Sequence, residues 1–429
     1  MRRTRAFALT SLAVAVISPP AYAGGFYLQE QSVRGTGRAY SGEVADQGVA
    51  SLWWNPAAIA RSGREAYIGV HGVVVDGSVT DTGSTITYPG GVTLPIQGHP
   101  RGLKPIEPGL IPNLAVAMPI GERFALGVSA SAPYNFTTKY EPRAWTRYDG
   151  LTSDLRTVDL QLSGAARVTD WLDLGVSANA ERTDASLSSA FPNLSPLLPD
   201  GATHLQGKGW DWGWGAGVQA HFDRLTLGAS YKSRIKHNLS GSLAISGLLP
   251  PLPAAANQTV DAKATFATPW IATLGARYAL TDRLTVDGQV QRVGWGEFDA
   301  IRVRSAIGPQ TIQQNYKDVT TGGVGLDYAV NPKLTLRTGV QYDPTPTPNL
   351  GRTARVPDGD RWLYAVGATA NLTKGLKLDA GLAYINFKKS RIDRTDVFND
   401  GTPAQTRTDL AGAVKGSGYV LSLGMRSTF

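Results

Sequence analysis

The 429-residue chain contains no cysteine, so disulfide scaffolds, cysteine-ligated zinc and thiol catalysis are excluded at once. It has no stretch of about 18 uninterrupted apolar residues, which argues against a helical membrane protein. Charge is sparse, at 18% of residues, and the basic residues are scattered among apolar ones without forming a stripe, so no nucleic-acid partner is expected. The five histidines, His71, His99, His204, His221 and His237, have no metal-ligand spacing and belong to no serine or cysteine nucleophile motif. The expectation is therefore a protein without catalytic residues, metal or cofactor; hydrolysis of lipid or peptide by the purified protein is the alternative that turnover would reveal. What the chain does have is glycine, 49 residues, about 11% against an average near 7%, which favours turns and close backbone approach over long helices.

The first 23 residues read as a removable signal peptide: Arg2, Arg3 and Arg5, an apolar core from Phe7 to Ile17, then Ala21-Tyr22-Ala23. The formal charge of +8 falls accordingly, since 39 basic residues then face 34 acidic ones for a net of +5. The mature chain is expected to be exported.

From Glu65 onward the pattern has period 2. In Trp210 to Phe222 the even positions are Trp, Trp, Trp, Ala, Val, Ala and Phe, and the odd ones are Asp211, Gly213, Gly215, Gly217, Gln219 and His221. The same split recurs in 158–168, 334–342 and 376–384, placing one set of side chains on each face of a strand. Alternation alone fits a soluble sandwich as well as a membrane barrel. Three features favour the barrel. Very short turns at 121–123, 169–170, 223–224, 281–283, 331–332 and 373–375 alternate with long, uneven connections. Aromatic residues such as Trp171, Tyr278, Trp295, Tyr328 and Trp362 stand where strands meet their ends, as interface girdles require. The chain also stops on an alternating strand whose last residue, Phe429, resembles the assembly signal read by the bacterial barrel assembly machinery. Six turns joining twelve strands, with a first strand from Ala66 and a last one ending at Phe429, make about fourteen, an even number. The expected fold is thus all-β: a transmembrane antiparallel barrel over 65–429, with residues 24–64, which do not alternate, as a plug inside a ring too wide to fill itself.

At this point the residues become recognisable. Gly25-Phe26-Tyr27-Leu28-Gln29-Glu30, Gly37-Arg38-Ala39-Tyr40-Ser41-Gly42-Glu43 and Asn55-Pro56-Ala57 resemble the N-terminal hatch of the outer-membrane long-chain fatty-acid and hydrocarbon transporter family, the FadL-like channels. Strand segments resemble that family in the right order, among them Leu126 to Ala130, Asp159 to Ala165, Leu336 to Val340 and Pro357 to Trp362. The resemblance implies a monomeric fourteen-stranded barrel in the bacterial outer membrane, in contact with the lipid bilayer and lipopolysaccharide. It implies passive uptake of hydrophobic molecules, most of all long-chain fatty acids, with alkanes, terpenes or aromatic hydrocarbons as the alternative. It places capture in apolar outer loops, a pocket under the hatch N-terminus, with Phe26, Leu28, Asn55, Pro56 and Ala57 as hatch residues, and sideways release at a kinked third strand.

Chemistry supplies candidates independently. The connections 187–207 and 239–259 are rich in leucine where the loops of a polar porin would be hydrophilic, so Phe191, Leu194, Leu197, Leu198, Leu248 and Leu249 are candidates for substrate capture. The alternative is that these loops pack on each other. A carboxylate substrate would want a cation, and Lys232, Arg337 and Arg361 fall on or beside the inward phase, unless they pair with acids such as Asp327, Asp360 and Asp379. For the exit, Pro133 interrupts the third strand after Ser129, Ser131 and Ala132; either the wall opens there or the strand simply ends.

Overall fold

Side chains that point alternately to two faces give these strands their burial rhythm, and the polarity of the two faces is inverted relative to a soluble protein. A computed structural model of the chain describes residues 24–99 and 102–429, so the expected signal peptide lies outside the described residues. Outward-facing Leu126, Val128, Leu160, Leu162, Leu174 and Val176 are exposed, while inward-facing Asp159, Gln161, Ser163, Asn179 and Glu181 are buried. An apolar exterior around a polar interior is stable only with hydrocarbon outside. Pleat and polarity together therefore choose the membrane barrel over the sandwich.

Fourteen antiparallel strands form the wall: β1 (Glu65–Asp81), β2 (Gly109–Ile120), β3 (Phe124–Ser131 and Phe136–Lys139), β4 (Thr152–Arg167), β5 (Leu172–Phe191), β6 (Gly201–Phe222) and β7 (Leu225–Lys232 and Ile235–Ser246). They continue as β8 (Gln258–Thr268 and Trp270–Ala279), β9 (Leu284–Gly294 and Ala300–Ser305), β10 (Gly308–Gln313 and Val319–Asn331), β11 (Leu334–Asp343), β12 (Arg361–Thr373), β13 (Leu376–Phe398) and β14 (Thr406–Thr428). Each pairs with the next, and β14 returns to β1 from Glu65↔Thr428 to Asp81↔Gly412, so the sheet closes. All six short turns lie at one end, and Phe429 hands its backbone N–H to the Arg64 carbonyl there.

Two expectations need correction. The connections 187–207 and 239–259 are not loops throughout: β5, β6, β7 and β8 carry the alternation well past a membrane crossing, leaving only 192–200 and 247–257 as loops. Trp295 is not a girdle residue. It is fully buried, because β9 breaks at a short turn, Trp295–Glu297, that swings the indole into the lumen. β10 breaks likewise between Gln313 and Val319, where Tyr316 is buried. The strand interruptions are the places where the wall reaches inward.

Residues 24–64 fill the lumen. They form one helical turn, Val33–Thr36, capped by the Ser32 side chain, and several 3-10 turns, nearly all of it buried. A second apolar cluster, including Trp145, Tyr148, Ile86 and Leu410, packs the long connections against the outer ends of β1, β13 and β14.

Candidate functional site

The plug meets the wall in two ways. Near the short turns, Asn55 caps the turn Pro56–Ile59 by accepting from the Ala57 N–H at 2.9 Å. Its amide donates to the carbonyls of Val44 at 2.7 Å, Val218 at 3.1 Å and Ala229 at 3.4 Å. The wall gives way to admit it: a Cβ on Gly217 would lie 1.9 Å from the Asn55 Oδ1, and one on Gly175 2.3 Å from the Ala57 nitrogen. Beside this anchor, the fully buried Arg38 guanidinium pairs with Glu43, with Asp46 at 2.5 Å and with Asp327 at 3.3 Å, and Arg277 bridges Asp287 and Asp327 at 3.0 Å each.

The other end of the plug lies among rings. The Phe26 ring sits 4.8 Å from Trp295, 5.1 Å from Phe298, 5.6 Å from Phe136 and 6.1 Å from Tyr134, mostly edge to face. Gly25 donates its N–H to Asp358 at 3.2 Å. On the loop side of these rings is an apolar cavity of about 50 Å³ lined by Phe136, Leu155, Leu187, Leu205, Leu239, Phe266 and Phe298 among others. Among the described residues, Asp154 is the only charged one in its lining. Close by, burial pushes the Glu30 carboxyl above the ordinary carboxylate range, against the pull of Arg361, and its Oε1 accepts from the Tyr40 hydroxyl at 3.0 Å.

The third strand breaks beside this chamber. Pairing with β2 stops at Leu114↔Ala130, pairing with β4 stops at Ser131↔Asp159, and the strand resumes at Phe136. Across residues 132–135 the plug takes the place of a neighbouring strand: Leu28 donates its N–H to the Pro133 carbonyl at 2.8 Å, Tyr27 bridges Tyr134, and the Gln31 amide reaches the Ala132 carbonyl at 3.4 Å. Ser129 and Ser131 face the lumen with buried hydroxyls that find no hydrogen-bond partner among the described residues. Pro133 therefore interrupts the strand without ending it.

Residues 14–429 match the family model described as outer membrane protein transport protein (OMPP1/FadL/TodX). The chain belongs to this family. Similar proteins include outer membrane protein P1 of Haemophilus influenzae, 28% identical over 91% of this chain and 92% of the relative. The long-chain fatty acid transport protein of Escherichia coli K12 is also 28% identical, over 89% and 92% of the two chains. The crystal structure of a Pseudomonas aeruginosa FadL homologue superposes with a TM-score of 0.82, at 24% identity over 94% of this chain and all of the other, and shares the fold. This OMPP1/FadL/TodX member is accordingly an outer-membrane transport protein.

Within this FadL-type barrel the remaining candidates scatter. Arg337 is buried near the short turns and pairs with Asp327 at 3.2 Å, while Arg361 is held by Asp343 at 3.0 Å. Both follow the acid-pairing alternative. Lys232 lies behind the strand-3 break, donating to the Gln161 side chain at 3.0 Å and standing over the Trp53 ring at 4.5 Å. The capture candidates divide. Leu248 is buried, and Asn193 ties the two loops together by donating to the Gly247 carbonyl at 3.0 Å and accepting from the Leu249 N–H at 2.9 Å, so the loops do pack on each other. Phe191 packs on Phe398, Leu194 and Leu198 are half-buried, and Leu197 is 92% exposed. The chamber residues Trp295, Phe298 and Tyr316 were missed in the sequence; their signal is the local loss of alternation around Gly294-Trp295-Gly296.

Proposed function

We propose that this transporter carries hydrophobic molecules passively across the outer membrane, long-chain fatty acids above all, by a route that runs from the loops to the ring chamber and out sideways through β3. One observation carries the reading: the wall is broken at residues 132–135, and the gap is covered by the same plug segment, Tyr27 to Gln31, whose neighbour Phe26 packs against Phe136 and Phe298, two rings that line the cavity. A ligand that displaces Phe26 would tug the cover from the gap. Release into the bilayer avoids exposing an apolar chain to water, which costs about 25 cal/mol per Å². Exposed Leu197 and the half-buried Leu194 and Leu198 beside it supply a first apolar contact for substrate. The relatives named for long-chain fatty acid transport support the substrate class.

A second reading, a hydrocarbon as substrate, draws on the chamber itself. Among the described residues its lining contains neither lysine nor arginine, and a carboxylate buried there without a partner would be costly. Under the fatty-acid reading the carboxylate instead meets Lys232 on its way to the gap.

Tryptophan at both Ser129 and Ser131 tests the route, because bulky rings would fill a gap but merely decorate a continuous wall. The double variant is expected to assemble as a heat-modifiable barrel and to lose most uptake of a hydrophobic substrate. Normal uptake by the assembled variant would rule out release through β3.

A further inference from the structure

The outer face of β6 to β9 carries a basic row that neither the transport route nor the stability of the wall explains. On β6 the outward phase holds Trp214, Trp212 and Trp210, all exposed, and continues to Lys208. Cross-strand register then sets Lys208 opposite Ser240 on β7, Ser240 opposite Lys263 on β8, and Lys263 opposite Arg304 on β9. All four are exposed, and their chain neighbours Leu239, Ala262, Ala264 and Val303 are buried, so the row faces outward. With strands about 4.8 Å apart, the Lys208 and Lys263 positions lie roughly 10 Å from each other and Lys263 and Arg304 roughly 5 Å.

Like charges placed directly opposite each other destabilise a strand pair, and Lys263 faces Arg304 in that way. Among the described residues, none of Lys208, Lys263 and Arg304 forms an ion pair. The acids of this face relieve the row unevenly. Register sets Asp184 on β5 directly opposite Lys208, although its carboxylate pairs with Arg182 at 3.1 Å. Asp154 pairs with Arg156 at 2.8 Å and Asp299 with Arg302 at 2.5 Å, so the Lys263 and Arg304 pair is left with Asp261, two residues along from Lys263. An open cleft of about 380 Å³ lies on the same face, lined in part by Arg156, Asp184, Gln206, Lys208 and Ser240. Lys208 is four residues beyond Trp212, roughly 13 Å along the strand and about 10 Å in height at a barrel tilt near 40°. That height is just above the aromatic girdle, where the phosphorylated sugars of the outer leaflet's glycolipid lie.

We infer that Lys208, Ser240, Lys263 and Arg304 form a binding site for the phosphate groups of lipopolysaccharide, whose acyl chains lie against Trp212 and Trp214 below. The anion supplies the missing counter-charge for the Lys263 and Arg304 pair.

Titration of the purified protein in neutral detergent with bis-phosphorylated lipid A and with its dephosphorylated form, read by native mass spectrometry, tests this. The phosphorylated lipid is expected to be retained and the dephosphorylated form to be lost. Lys208→Gln, Lys263→Gln and Arg304→Gln together are expected to weaken retention roughly a hundredfold, while Lys374→Gln at the opposite end leaves it unchanged. If the triple variant does not assemble, Lys263→Gln alone is expected to weaken retention about fivefold. Equal retention by an assembled variant and the parent, or of the two lipids by the parent, would overturn the site.

Discussion

The two ends of the plug are held by different physics. Around Asn55 and Arg38 the contacts are directional: three amide-to-carbonyl bonds and a buried guanidinium shared by three carboxylates. Around Phe26 they are rings in edge contact, with a few hydrogen bonds from Gly25, Leu28 and Gln31. Directional polar contacts in a dry interior tolerate one geometry, since a group pulled out of register is left buried and unpaired. Ring contacts are short-ranged and non-directional by comparison, and an apolar ligand can replace them at little cost. The proposed route draws on this difference: it has the plug stay put near the short turns and yield at its N-terminal limb.

Breaking the fixed end should have the largest effect. Arg38→Met leaves the buried Glu43 without its cation, while Asp46 keeps Arg34 and Asp327 keeps Arg277 and Arg337, and breaking a buried pair in this way costs about 3 to 5 kcal/mol. The expected outcome is a folded barrel whose plug has come away, seen as a large rise in conductance in a planar bilayer. A variant that stays as closed as the parent would erase the distinction between the two ends. A smaller effect is expected from Gly217→Ala, whose methyl would meet the Asn55 side chain. Overpacking of this kind costs typically about 1 to 3 kcal/mol, so the channel should flicker open while thermal unfolding of the barrel is little changed.

Much of the wall was legible because its rules are local. The alternation of Trp210 to Phe222 and the six short turns follow from a period of two and from turn chemistry, and both can be read without knowing any partner. The chamber was not legible for the same reason: Trp295 and Tyr316 act where alternation fails, and a sequence does not say which way an interrupted strand will swing. Leu187, Leu205 and Leu239 fall in the connections 187–207 and 239–259, yet they line the cavity from strands that outrun the membrane. The capture candidates of those connections, Phe191, Leu194, Leu197, Leu198, Leu248 and Leu249, are not among its lining residues. Arg361 meets Asp343 because inward neighbours on adjacent strands are set by register, which places Arg361 opposite Asp343.

Release through β3 requires the limb that covers it to move, and the absence of cysteine from the chain makes that directly measurable. Tyr27 and Tyr134 are antiparallel bridge partners, a spacing of about 5 Å between Cα atoms that a disulfide can span. In the Tyr27→Cys, Tyr134→Cys variant, uptake of a hydrophobic substrate should fall to background when the pair is oxidised and recover when the same sample is reduced. Undiminished uptake by fully cross-linked protein would contradict the account.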